Sequence, residues 1–247
     1  GSVIALSGIS AALVAQGQGT GMGLLALVVA MLVGLLCGLL NGLIVAFGKI
    51  PPFIVTLGMM TAARGMAAVI SNGRPVGDIP SIITWLGINR ILGVPGVVYI
   101  YMIFALVAYV LLDKMRYGRH IIAIGGNTNA ARICGVRVEK CLVLTYMFAG
   151  IASGISGNIL ISTTMAANPT YGVMYELDAI ASTVIGGTSL SGGKGSVPLC
   201  IVGAIIVGVI NNGLNLLGVD PYWQQVVKGL IIVLAVFLDQ VKRNTKS

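Results

Sequence analysis

The chain has 247 residues, of which 57% are hydrophobic and 9% charged, with a net charge of +8 and a mean hydropathy of +0.99. A soluble domain carries about 25% charged residues, so a soluble globular domain is excluded. The positive residues sit in loops between apolar segments rather than on one basic face, which excludes a nucleic-acid partner, and Cys37, Cys134, Cys141 and Cys200 form no CxxC pair that would support a disulfide framework or a zinc site.

The apolar stretches approach the ~20 residues that cross a bilayer as helix. They lack the period-2 alternation of a barrel, and helices satisfy their own backbone groups in lipid. The expected fold is therefore all-α: a polytopic transmembrane helical bundle forming a single domain over 1–247. Eight apolar passages are read, at 1–16, 22–47, 52–70, 98–113, 141–163, 176–190, 198–217 and 222–239. The fourth and sixth are short for a full crossing.

The chain opens Gly1-Ser2 without a charged lead or a signal peptide, so an N-terminal portion is expected upstream. Gly34, Gly38 and Gly42 recur at four-residue spacing, as do Gly150 and Gly154. Small residues at that spacing let membrane helices approach closely, so packing seams are expected. A short echo links 33–43 with 202–214, as in transporters built from inverted repeats.

Between the third and fourth passages lies a loop over 71–97. Its Arg74-Pro75-Val76-Gly77-Asp78 run marks turns, and Ile82-Ile83-Thr84-Trp85-Leu86 suits a short helix at the membrane surface. The loop is either a connector or a surface for an extracellular partner.

The most informative segment is 114–140, a basic loop in an otherwise apolar chain. It carries Lys114, Arg116, Arg119, Arg132, Arg137 and Lys140, six of the 15 positive residues. Positive charge collects on the cytoplasmic side, so this loop sets the orientation. Alternating outward places Lys49, Lys194, Lys242, Arg243 and Lys246 inside as well, with only Arg74 and Arg90 in outside loops. Both ends of the chain are then cytoplasmic.

Within the loop, Asn127 or Thr128 suits a helix N-cap. Ala130, Ala131, Arg132, Ile133 and Cys134 suit one or two turns, and Gly135 suits a left-handed stop. A short helix flanked by cations, with small residues that fit a partner's groove, is expected there in place of a plain connector.

Glu176 and Asp178 open a helix, where the macrodipole favours negative charge. The run Gly186 to Ser196 resembles a phosphate loop, but Lys194 is followed by Gly and the required spacing fails. It is read as a tight cytoplasmic turn, and no ATP site or other cofactor is expected on this chain.

Ionisable groups within the membrane are functional by default. Arg64 and Lys228 are the candidates, each placed to snorkel toward the interface. Asn41, Asn158, Asn211, Asn212 and Asn215 are the intramembrane amides. Asn211 and Asn215 share one helix face. These amides either tie helices together or line a path for a hydroxylated solute; the candidate path comprises Asn41, Arg64, Asn158, Asn211 and Asn215. His120 is the only histidine and no acid–base or metal cluster can be assembled, so catalysis is not expected.

Four segments in order carry a resemblance: Gly118 to Asn127 with Ala130-Ala131-Arg132; Glu176 to Ala181; Gly186 to Gly195; and Asn211 to Gly218. The chain resembles the membrane permease subunits of bacterial monosaccharide ABC importers, ribose-permease type. The resemblance runs over nearly the whole chain. It implies about ten spans in the full protein, a bacterial inner-membrane location and pairing with a second permease copy. It also implies a cytoplasmic ATP-binding subunit that performs the hydrolysis, and an extracytoplasmic sugar-binding protein. The coupling helix of such permeases maps to Asn127 to Gly135, with Arg119, Asn127, Ala130, Ala131, Arg132 and Gly135 as the coupling residues. An Asp-Leu-Ser-rich element is expected just before Gly1.

An ion-coupled secondary transporter of a small polar solute is the alternative. Such machines place carboxylates at the midplane, and no carboxylate lies near a helix centre here. A membrane-embedded enzyme and a non-transporting scaffold fit less well. No single residue identifies the sugar.

Overall fold

A computed structural model describes residues 1–16 and 20–244. Eleven α-helices dominate the described residues: α1 (Ser2–Ala15), α2 (Thr20–Gly48), α3 (Pro52–Ile70), α4 (Ser81–Ile88), α5 (Gly96–Tyr109), α6 (Arg116–Gly126), α7 (Thr128–Ile133), α8 (Val138–Thr164), α9 (Tyr175–Ile185), α10 (Val197–Leu216) and α11 (Pro221–Asn244). Strands β1 (Arg90–Ile91) and β2 (Val94–Pro95) form a small hairpin turned by Leu92 and Gly93, both at positive φ. Pro52 at the start of α3 and Pro198 at the start of α10 sit in the first turn, where a missing N–H costs nothing.

Each of the eight apolar passages contains a helix, although the sixth leaves its helix after Ile185 for a turn, and the chain is a polytopic helical bundle. Five described helical stretches are long and apolar enough to cross a membrane: Met22–Gly48, Pro52–Ile70, Gly96–Lys114, Val138–Thr164 and Val197–Leu216. The fourth passage gains its length because α5 continues into a π turn over Val110–Lys114. The first and sixth passages are shorter. Helix α1 has 14 residues in this chain; α9 has 11, which at 1.5 Å per residue reach about 16 Å, less than the ~30 Å hydrocarbon core.

The chain forms two compact units. The first comprises 1–104 and 139–173, the second 105–138 and 174–247. In the first, α1 packs on α2 and α3. Its core gathers Ile9, Ala11, Ala12, Ala26, Ala30, Ala67, Ile83 and Ile161. The two glycine seams meet each other: a Cβ on Gly34 would strike the carbonyl of Gly150, and one on Gly154 would strike that of Ala30. Helices α2 and α8 thus touch backbone to backbone, the small-residue contact expected of membrane helices. Ile83 of α4 is fully buried and Gly23 of α2 presses on Ile82, so α4 is anchored in the unit rather than resting on its surface.

Two loops of the first unit are joined. Val76 and Ala167 exchange both backbone hydrogen bonds at 2.8 Å. Gly172 lies against Gly1, with Gly1 O 2.5 Å from where a Cβ would stand. The start of the described chain therefore shares a side with the loop after α8. Charge alternation had placed Gly1 inside and that loop outside.

In the second unit, the short helix α9 is packed by α10 and α11. Glycine again permits close approach: Gly203 of α10 faces the Ser182 carbonyl, and Gly186 at the end of α9 faces Leu199. The echo between 33–43 and 202–214 falls on α2 and α10, each of which follows a short helix in its own unit.

Candidate functional site

The basic segment is ordered by local chemistry. Its first part, expected to be loop, is the 11-residue helix α6. Arg116, Arg119 and His120 are exposed, while Gly118 and Ile124 are buried. Gly118 sits directly over the Leu112 carbonyl of the π turn, a spot that admits no side chain. The amphipathic period of 3.6 was legible here, but the density of charge masked it.

Helix α7 follows at once. Asn127 is extended at its N-cap, and its Oδ1 accepts from Ala130 N at 3.0 Å. Thr128 instead donates to the Ile124 carbonyl at 3.1 Å. At the other end Gly135 adopts φ +81°. Its N–H donates to Arg132 O at 3.0 Å, and Val136 N donates to Ala131 O at 3.1 Å. This pair of bonds is the Schellman stop, which needs a left-handed residue and therefore favours glycine. A six-residue helix with both ends closed is rigid for its size.

Its side chains divide by face. Ala131 is 5% exposed and packs inward, whereas Ile133 is 88% exposed and stands between the exposed Arg132 and Cys134. Ala130 is also exposed. The outward knob of α7 is therefore Ile133, a residue that the sequence reading assigned no special role.

The Gly186–Ser196 turn reaches this segment. Gly192 and Gly193 lie against Gly125 and Gly126, the two residues just before the Asn127 cap. A cleft of about 380 Å³ opens beside this contact, lined by Leu112, Ile121, Ile122, Thr188, Lys194 and Cys200 among others.

The candidate path residues divide between the units. In the first, Asn158 Nδ2 donates to Leu27 O at 3.1 Å and so ties α8 to α2. Asn41 is buried, and its Oδ1, like that of Asn158, has no hydrogen-bond partner among the described residues. Leu27 and Asn41 stand about 21 Å apart along α2, so the two amides do not form one site. Arg64 donates through Nη1 to the carbonyls of Pro169 at 2.7 Å and Tyr171 at 2.6 Å. It clamps the loop after α8 instead of snorkelling.

In the second unit, Gln224 Nε2 donates to Asn215 Oδ1 at 2.9 Å. Asn211 Oδ1 is buried without a hydrogen-bond partner among the described residues. Lys228 Nζ reaches Asp178 Oδ2 at 3.0 Å, with both side chains about three-quarters buried (21% and 25% exposed). The sequence reading treated Asp178 as a cap and Lys228 as a snorkelling cation. The structure pairs them across α9 and α11, which lessens the cost of each charge in the membrane. Gln224 and Lys228, four residues apart on one helix face, were the available signal. Asn211, Asn215, Gln224, Lys228 and Asp178 place polar side chains on three helices of the second unit.

A family model described as branched-chain amino acid transport system / permease component matches residues 1–236. The chain belongs to this permease family. The permease is 42% identical to the ribose import permease protein RbsC of Escherichia coli (strain K12), over 98% of this chain and 76% of that protein. It is 45% identical to the ribose import permease protein RbsC of Bacillus subtilis (strain 168), with the same 98% and 76% coverage. The L-arabinose transport system permease protein AraH of Escherichia coli (strain K12) is 37% identical over 82% of this chain and 62% of that protein. No solved structure matches the permease. The permease is a membrane-spanning component of an ABC importer, and nothing favours the ion-coupled alternative.

Proposed function

We propose that this permease moves a ribose-like monosaccharide into a bacterial cell, driven by a separate ATP-binding subunit that docks on α7. The observation that carries the sugar reading is the 42–45% identity to ribose import permeases over 98% of the chain. The docking reading is supported by the closed ends of α7 and by the outward Ile133 beside the exposed Arg132. Residues 1–247 act as one permease domain, paired with a second copy in the inner membrane and surrounded by lipid. A soluble sugar-binding protein meets the opposite face. The 114–140 segment and the Lys194 turn face the cytoplasm, as the charge rule requires.

In this reading Arg119, Ala130, Arg132 and Ile133 meet the partner, Asn127 and Gly135 fix the helix, and Ala131 seats it. Asn211 and Asn215 offer amide groups to sugar hydroxyls on the way through. Asn41, Arg64 and Asn158 hold the first unit in shape around the path.

The test uses the full-length permease with its ATP-binding subunit and sugar-binding protein, reconstituted in liposomes. Ala131 is unsuitable for substitution because it is buried. Ile133→Glu is expected to abolish copurification of the ATP-binding subunit and uptake of radiolabelled ribose, while the permease itself accumulates normally. Native copurification and uptake would refute the docking reading. Excess unlabelled ribose should compete with uptake and excess leucine should not; competition by leucine alone would refute the sugar reading.

A further inference from the structure

Between α9 and α10 the chain makes a turn whose first glycine, Gly186, packs on α10 and whose tip glycines reach α6. Its tip, Gly192-Gly193, has φ values of +85° and +77°. The tip is closed locally by Gly192 N donating to Ser189 O at 3.1 Å and Ser189 N donating to Lys194 O at 3.2 Å. The far side of that tip touches α6 through backbone alone. A Cβ on Gly192 would strike the Gly125 carbonyl, and would lie 2.9 Å from Gly125 Cα. A Cβ on Gly125 would lie 2.7 Å from Gly193 N, and one on Gly193 would lie 3.2 Å from Gly126 Cα. No flexible side chain lies between the two segments to absorb a shift.

Both ends of this contact are stiff. Asn127 follows Gly126 directly and closes the N-terminus of α7. On the other side the turn leaves α9 through Gly187 N to Val184 O at 2.8 Å and Thr188 N to Thr183 O at 3.0 Å. Helix α9 is itself pressed on α10 at Gly203 and Gly186. A displacement of α7 therefore meets α9 and α10 through bonded backbone and one glycine–glycine bearing. Packed elements of this kind transmit displacement because they are not continuously deformable.

We propose that the Gly186–Ser196 turn is the positioning element that links the coupling helix to α9 and α10, with Gly125 and Gly192 as its bearing. This rests on the reading of α7 as the docking helix. Bulk at the bearing separates ATP hydrolysis from sugar movement and leaves docking intact.

The test again uses the full-length complex in liposomes and radiolabelled ribose. Gly192→Val adds bulk at the contact. Gly218→Val is the control, because Gly218 has φ +68° but open space around it; the same side chain at a similar φ carries comparable backbone strain with no clash. With Gly192→Val the ATP-binding subunit still copurifies and the KM for ribose uptake is unchanged. Ribose moved per ATP hydrolysed falls about tenfold, the scale of coupling changes along packed networks. Gly218→Val keeps the native ratio. Should Gly192→Val not accumulate, Gly125→Ala, one methyl at the same contact, provides the reading with a smaller fall in the same ratio. A native ratio in the accumulating bearing variant overturns the proposal. An Ile133→Glu complex that assembles and transports normally overturns the docking reading instead, whatever the glycine variants do.

Discussion

Helices α1 and α9 occupy equivalent places in their own units, each a short helix gripped by the two longer ones that follow it. Their surroundings differ. Around α1 everything is small or aliphatic: Ile9, Ala11, Ala12 and Ser7 show no exposed surface. Around α9 a charge pair spans to α11, and α10 carries Asn211 and Asn215. A short helix can be held by close packing or by polar contacts. The first surrounds its helix with small and aliphatic side chains, and the second sets polar groups beside it. The permease uses one solution in each unit.

The largest expected effect is on the closely packed side. Gly150→Val drives a side chain into the Gly34 backbone, and overpacking of this kind costs about 3 kcal/mol where neither backbone yields. The monodisperse yield in detergent should collapse; a normal yield would show that α2 and α8 are not in backbone contact. Ile9→Ala comes next, at about 2–4 kcal/mol for a fully buried aliphatic, read as a lowered thermal unfolding midpoint.

The polar side should respond differently. Lys228→Met leaves Asp178 without this partner and costs about 1–3 kcal/mol, whereas Lys228→Met with Asp178→Leu removes both charges and recovers most of the loss. Thermal midpoints of the singles and the double decide this, and additive losses would deny the pair. Asn211→Leu should leave stability nearly unchanged and raise the KM for ribose roughly tenfold, the worth of one hydrogen bond to the solute. The smallest effect is that of Leu92→Ser at the hairpin tip, 93% exposed, where a change within about 0.5 kcal/mol is expected.

Much of this was legible in the chain. The eight apolar passages, the glycine seams and the caps of α7 each rest on local rules: span length, four-residue spacing of small residues, an Asn cap and a Gly stop. The contacts that define the site are non-local and left little trace. Nothing in Gly125 or Gly192 taken singly indicates that they meet. Asp178 and Lys228 lie fifty positions apart, and each had a sufficient local explanation, as a first-turn acid and as a snorkelling cation. Ala131 and Ile133 could not be sorted into inward and outward faces without knowing which side of a two-turn helix meets the protein. The contact of Gly172 with Gly1 is likewise non-local and has no mark in the charge pattern.

The central claim is that the α6–α7 segment faces the cytoplasm. Cys134 is exposed, while Cys37 and Cys141 are buried and Cys200 is half-buried. A membrane-impermeant maleimide applied to vesicles lacking the ATP-binding subunit should label Cys134 in inside-out vesicles and not in right-side-out ones, with Cys134→Ser as the blank. Labelling of Cys134 in sealed right-side-out vesicles would place the docking helix on the outer face and contradict the account.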